Sequence, residues 1–326
     1  MANISTSSQR LRDMLRTAMG QDLAEALSNP DVFEIMVNPD GSVRLDLAVA
    51  GRINTGAFLP PEDTERVIRL VASHMRAELS NTSPILSAEL PPTGDGCGGE
   101  RFEGLLPPIV EAPCFSIRKP AHRLYRLSDY VEAKVLEGWQ ARLLADAIRM
   151  RRNILVAGGT SSGKTTLANA LLADVAERDE RIILIEDTRE LRCAAPDSVA
   201  LRTRPGFVTM SDLVRTTLRL RPDRIIVGEV RGGEALDLLK AWNTGHPGGI
   251  ATVHANSARG ALLRLEQLVQ EAVVSVPRPL IAEAVDMIVF LCGQDLASGG
   301  RRRVTEIVEV SGLDLNGNYE IRTLMI

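Results

Sequence analysis

Gly158-Gly159-Thr160-Ser161-Ser162-Gly163-Lys164-Thr165 is the stretch whose reading decides the fold. It satisfies G-x-x-x-x-G-K-[ST], the pattern of a phosphate-binding loop. Before it, Asn153-Ile154-Leu155-Val156-Ala157 reads as a short buried strand. After it, Leu167, Ala170, Leu171 and Val175 recur at helical spacing. A strand that runs through a glycine-rich turn into a helix aims successive backbone N–H groups, and the positive end of the helix, at one point. Glycines are needed because a Cβ collides with a backbone wrapped that tightly. The ligand this geometry implies is a nucleoside triphosphate, ATP, held by residues 158–165 and Thr166. Lys164 is placed to reach the β- and γ-phosphates, and the Thr165 hydroxyl to ligate Mg²⁺.

From residue 151 onward the chain alternates strands and helices. The strands are nearly continuous apolar runs, Ile154–Val156, Ile182–Ile185, Ile225–Val227 and Ile250–Val253. Strands buried on both faces and joined by helices indicate a parallel sheet. The tail reads as an antiparallel hairpin, Val304–Val310 and Tyr319–Leu324 around Leu315-Asn316-Gly317-Asn318. The first part of the chain is different. Leu11, Met14, Leu15, Ala18, Met19, Leu23, Ala26 and Leu27 line one face of a helix that ends before Asn29-Pro30. A hairpin of residues 33–37 and 43–47 follows, turning at Asn38-Pro39-Asp40-Gly41. Pro61 opens a second helix, with Val67, Ile68, Val71 and Met75 as its buried stripe. After a Pro- and Gly-rich loop from Pro91 to Gly99 come short strands near Phe102–Leu106 and Cys114–Ile117. The expected fold class is α/β: a parallel-sheet phosphate-loop domain over 151–326, preceded by a smaller α+β domain over 1–120. Residues 121–150 form a connector with one or two helices.

Three strand ends in the second domain finish in groups suited to triphosphate chemistry. The strand at 182–185 runs into Glu186-Asp187, and the strand at 225–227 into Gly228-Glu229. The third, Gly248-Gly249-Ile250-Ala251-Thr252-Val253-His254-Ala255-Asn256-Ser257, ends at His254, with Asn256 or Ser257 capping a helix striped by Leu262, Leu265, Leu268 and Val269. In a parallel sheet the carboxyl ends of strands lie side by side, so these groups converge on one ligand. Hydrolysis needs a carboxylate that orients the attacking water and oxygens that hold Mg²⁺. Glu229 is the residue for water, Glu186 supports Mg²⁺ or that same water, and His254 is placed as a γ-phosphate sensor. A cation over the developing charge is also required. Arg101, Arg118, Arg219, Arg221, Arg224 and Arg231 are the candidates, unranked by sequence alone.

Composition sets the limits. The chain has 326 residues, 44% hydrophobic and 25% charged, with a net charge of −4, as in an ordinary globular protein of about two domains. Residues 1–120 carry 11 basic and 16 acidic side chains and residues 121–326 carry 27 and 26, so neither part has the basic excess of a nucleic-acid binder, and none is expected to be bound directly. Four dispersed cysteines, Cys97, Cys114, Cys193 and Cys292, exclude a C-x-x-C zinc module and point to a reducing compartment. No cleavable signal is visible. The apolar stretch Leu280 to Leu291 is too short, and carries Glu283 and Asp286, to cross a bilayer. Membrane contact, if any, is therefore peripheral. The face of Leu11–Leu27 suits lipid or internal packing.

The phosphate loop, the acidic box Ile185-Glu186-Asp187-Thr188-Arg189-Glu190-Leu191, the run Arg219–Arg224 leading to Gly228-Glu229, and the box Thr252–Ser257 resemble, in this order, the motifs of the secretion-ATPase superfamily. Phe115-Ser116-Ile117-Arg118-Lys119-Pro120 fits too, and the resemblance spans essentially residues 10–310. The short chain with one small N-terminal domain is similar to the type IV secretion branch, the conjugal-transfer ATPases. That resemblance implies a RecA-like Mg²⁺-dependent ATPase, a homo-hexameric ring, and a place at the cytoplasmic face of an inner-membrane secretion channel. It also implies that Arg118 and Arg101 reach the phosphates, although Asp95-Gly96-Cys97-Gly98-Gly99 interrupts the approach to Arg101. The alternatives are a motor of type II secretion or type IV pili, a nucleotide-gated scaffold with little turnover, and a small-molecule phosphotransferase.

Overall fold

The computed structural model describes residues 6–47, 51–91, 99–120, 124–160, 162–204, 206–293 and 302–324. Ser161 and residues 95–98, singled out above, lie outside them. The chain forms two compact units, Met1–His122 and Arg123–Ile326.

The first unit contains α1 (Thr6–Ser28), β1 (Val32–Val37), β2 (Ser42–Leu47), β3 (Gly51–Phe58), α2 (Pro61–Met75), β4 (Ile85–Glu89), β5 (Arg101–Leu105) and β6 (Cys114–Arg118). Its six strands form an antiparallel sheet in the order β3-β2-β1-β6-β5-β4. The alternation along each strand is the cause of its two-sidedness. Ile35, Val37, Phe102, Phe115 and Ile117 join Leu15, Met19 and Leu23 of α1 and Val67, Ile68 and Val71 of α2 in one core. The intervening residues of the strands are largely polar and lie on the other face. Two apolar residues assigned to helix stripes are not in this core: Met14 is 54% exposed and Met75 48%. Met14 lies on the helical segment before Gly20 together with the buried Leu15, Ala18 and Met19, about 100° around the axis from Leu15, and so falls at the edge of the buried stripe. Met75 is the last residue of α2, beyond its final buried turn.

The second unit contains α3 (Leu127–Glu132), α4 (Gly138–Arg149), β7 (Ile154–Gly158), α5 (Lys164–Val175), β8 (Ile182–Glu186), β9 (Ser198–Arg202), α6 (Met210–Thr217), β10 (Arg224–Val227), α7 (Glu234–Asn243), β11 (Ile250–His254), α8 (Ala258–Gln270), α9 (Arg278–Ala284), β12 (Met287–Cys292), β13 (Arg303–Leu313) and β14 (Tyr319–Thr323). Its sheet has the order β14-β13-β12-β7-β11-β10-β8-β9. Strands β12 through β9 run parallel, and β13 and β14 turn antiparallel. Alternate residues of each strand feed two cores. Leu155, Ala157, Ile183, Ile185, Ile225 and Val227 pack with α6–α9, while Ile154, Val156, Ile182, Leu184 and Ile226 pack with α3–α5. Burial on both faces is what the uninterrupted apolar runs require.

Four strands, β3, β4, β9 and β12, were not expected from the sequence. The apolar stretch 280–291 divides into α9 and β12. Among the described residues no helix is long and apolar enough to cross a membrane.

The amino-terminal end of the parallel sheet is pinned by polar groups. Asn153 accepts through Oδ1 from the N–H groups of Gly248 (2.8 Å) and Gly249 (2.9 Å), and its amide donates to Ala284 O at 2.8 Å. Arg224 is 1% exposed. It pairs with Glu180 and donates to Gly248 O at 3.0 Å and Ile148 O at 2.9 Å. Buried polar groups demand such partners, and these hold α4, β10 and β11 together at one end. The opposite end is left to loops.

Candidate active site

The order of the strands creates the site. From β7 the chain crosses through α5 to β8, passing over β11 and β10, while the helices that join the other strands lie on the opposite face. The carboxyl ends at such a reversal border a crevice. The register sets its contents: His254, the last residue of β11, pairs with Gly158, the last of β7.

Gly158 opens the phosphate loop under tight constraint. A Cβ there would lie 2.5 Å from Leu291 O of β12 and 2.6 Å from Ser162 Oγ. Gly159 and the exposed Thr160 carry the chain outward, Ser162 is buried, and Gly163 turns it into α5 with φ +97°. Only glycine takes that conformation without strain. Lys164, Thr165 and Thr166 are the first residues of α5, whose leading N–H groups have no partner within the helix. This is a cradle for a polyphosphate. The Lys164 ammonium is buried and donates to Gly158 O (3.1 Å) and Gly159 O (2.8 Å), inside the loop that would hold the ligand.

Three groups chosen from sequence meet here. Lys164 Nζ lies 3.3 Å from His254 Nδ1, and His254 Nε2 lies 3.0 Å from Glu229 Oε1. Glu229 is held in place through its neighbours. Gly228 N–H donates to Ile185 O, Val230 N–H to Thr252 O, and Thr252 Oγ1 to Gly228 O at 2.7 Å. Burial pushes the Glu229 carboxyl up, but the hydrogen bond from Arg231 and the charges of Arg231, His254 and Lys164 outweigh it. The net effect holds the group below the ordinary carboxylate value.

Glu186 has backbone partners of its own. It is 4% exposed, and its Oε1 accepts from the N–H groups of Glu190 (2.9 Å) and Leu191 (2.7 Å). That carboxylate therefore folds the acidic box back onto the end of β8, and Gly228 leaves it room, since a Cβ there would sit 3.1 Å from Glu186 Cγ. Mg²⁺ at a triphosphate takes one or two protein oxygens, the rest coming from phosphate and water. Thr165 and Glu186 supply oxygens of the right kind.

The arginine candidates separate by position. Arg224 is a correction: it lies at the amino-terminal end of β10, fully buried and occupied by Glu180, so it is not available to a ligand at the carboxyl end. Arg219 and Arg221 are exposed before β10. Arg231 stands beside Glu229. Arg101 and Arg118 belong to the first unit, where they are direct cross-strand partners on β5 and β6, each with an acid on its other side, Glu89 and Glu34. One residue was missed from sequence. Arg302 lies over the phosphate loop, its Cδ 3.2 Å and its Nε 3.3 Å from where a Gly163 Cβ would be. The one signal in the sequence was the basic run Arg301-Arg302-Arg303.

Comparison with known proteins shows what the chain is similar to. The profile of the family "Type II/IV secretion system protein" matches residues 102–310. The chain is 48% identical over 316 residues to the conjugal transfer protein TrbB of Rhizobium radiobacter, covering 96% of this chain and 94% of that one. The crystal structure of the VirB11 ATPase from the Brucella suis type IV secretion system, in complex with sulphate, matches with 29% identity and a TM-score of 0.50, over 93% of this chain and 96% of that one. The Legionella pneumophila ATPase DotB shares the fold at a TM-score of 0.62, with 19% identity over 88% of this chain and 79% of its own.

Proposed function

The chain belongs to the type II/IV secretion system protein family, and from that premise we propose that it is the ATP-hydrolysing motor of a type IV secretion or conjugative transfer apparatus. The observation that carries this reading is the convergence of Lys164, His254 and Glu229 beside a phosphate loop. The N–H groups of residues 158–166 and the Lys164 ammonium bind the phosphates. Glu229 accepts a hydrogen bond from the attacking water and orients it in line with the bond between the β- and γ-phosphates. His254, between Lys164 and Glu229, senses whether the terminal phosphate is present. Thr165, with support from Glu186, would hold a Mg²⁺ ion, which would supply neutralisation of the triphosphate charge. Arg118 and Arg101 supply the remaining positive charge, from this or a neighbouring copy. The working form is a homo-hexameric ring docked peripherally on the cytoplasmic side of inner-membrane channel proteins.

Phosphate release and binding of a fluorescent ATP analogue test the reading. Lys164→Ala loses binding and hydrolysis together. Glu229→Gln keeps analogue binding within about twofold while hydrolysis falls by about 10²-fold or more. Chelation of Mg²⁺ by EDTA stops turnover of the wild type. Undiminished hydrolysis by Glu229→Gln would remove that residue from the mechanism.

A further inference from the structure

Arg231 lies two residues beyond Glu229, in the turn between β10 and α7, and it joins the polar groups around that carboxylate. Its Nη2 donates to Glu229 Oε2 at 2.5 Å, and its Nη1 lies 3.7 Å from Asp187 Oδ2. The other oxygen of Asp187 accepts from Thr203 Oγ1 at 2.8 Å. The turn itself is preset: Glu234 Oε1, in the first turn of α7, accepts from the N–H groups of Arg231 (2.7 Å) and Gly232 (2.9 Å).

A carboxylate that orients water needs one oxygen toward the water and a restraint on the other. Glu229 has that division. Arg231 engages Oε2 alone, while Oε1 faces His254 Nε2 at 3.0 Å, on the side of Lys164, and as a carboxylate oxygen has a second lone pair for water. Arg231 is also poorly suited to contact phosphate itself, because reaching away would abandon two carboxylates of its own chain. We propose that Arg231 is the positioning residue for Glu229: it clamps Oε2, anchors the clamp to the end of β8 through Asp187 and Thr203, and so turns Oε1 toward His254 and the attacking water. This rests on the role given to Glu229 above.

The test uses full-length protein, measuring steady-state ATP hydrolysis and binding of a fluorescent ATP analogue. Arg231→Ala lowers kcat by about 10- to 100-fold, the loss expected when a reacting group is misplaced by about an ångström, while KM and analogue affinity stay within about twofold. Arg231→Lys, which retains the charge but not the fork, recovers part of the loss. Asp187→Asn moves kcat in the same direction by less. In a cycle with Glu229→Asp, the double variant with Arg231→Ala falls little below the worse single variant, since both changes act on one group.

Wild-type kcat in Arg231→Ala overturns the inference. So does a raised KM at unchanged kcat, which marks a substrate contact, or a fully multiplicative loss in the double variant, which marks an independent role. Where thermal melting shows that Arg231→Ala does not fold, Arg231→Lys and Asp187→Asn decide by the same criteria. The two readings fail separately. Turnover retained by Glu229→Gln removes the water-orienting role, whereas an inactive Glu229→Gln beside an unaffected Arg231→Ala removes the clamp alone.

Discussion

Glu229 illustrates how a single carboxylate is tuned by what faces it. Burial favours its neutral form, and Arg231, His254 and Lys164 together favour the charged form by more. The folded value therefore lies below the ordinary carboxylate value, which favours the ionised form needed to orient water. Removing Arg231 leaves burial less opposed, so the carboxyl value rises. The acid limb of the kcat profile, measured from about pH 4.5 to 8, then moves to higher pH in Arg231→Ala than in the wild type. At the same scale Glu186 shows why residue type alone misleads. Its sequence neighbourhood is that of a metal or water ligand, yet half of its carboxylate is occupied in folding its own loop. The acceptor capacity of an acid at a strand end is shared between structure and ligand, and only the backbone path of residues 187–191 tells how.

Among elements, the four central parallel strands β7, β8, β10 and β11 and the phosphate loop were legible because their signals are local: short uninterrupted apolar runs, a glycine turn, a helical stripe. The missed strands lacked such signals. β12 lies inside one apolar run with α9, where periodicity does not separate helix from strand. β9 and β3 lie at sheet edges and expose most of their residues, so burial imposes little apolar pattern on them. The Arg302–Gly163 approach joins residues far apart in sequence, and no spacing rule reports it. Arg224 was misjudged for a similar reason, since its partner Glu180 and the carbonyls of Ile148 and Gly248 come from three other segments. Arg224→Ala leaves Glu180 and two carbonyls without this partner. We expect a loss of roughly 3–5 kcal/mol of stability in urea unfolding, with hydrolysis per folded molecule unchanged, because the pin lies at the end of the sheet away from the site.

For the molecule as a whole, each unit has its own core, so each has its own source of stability. A ring motor adds a requirement that no single chain meets: copies must associate. Native mass of the Glu229→Gln protein, with ATP and Mg²⁺ present so that turnover does not empty the site, is expected at about six times that of the monomer if the proposed hexamer forms, since a head-to-tail contact whose rotation closes gives a ring of fixed size. A monomer under these conditions contradicts the ring. The pairing of Arg101 with Arg118 across β5 and β6 carries a last implication. Like charges directly opposed across adjacent strands repel, and Glu89 on β4 and Glu34 on β1, the outer neighbours of the pair, offset that cost, so four strands carry one row of charge in the order acid, base, base, acid. An anion that settles on the two cations therefore competes with carboxylates already in the sheet, which favours a multiply charged visitor over a singly charged one.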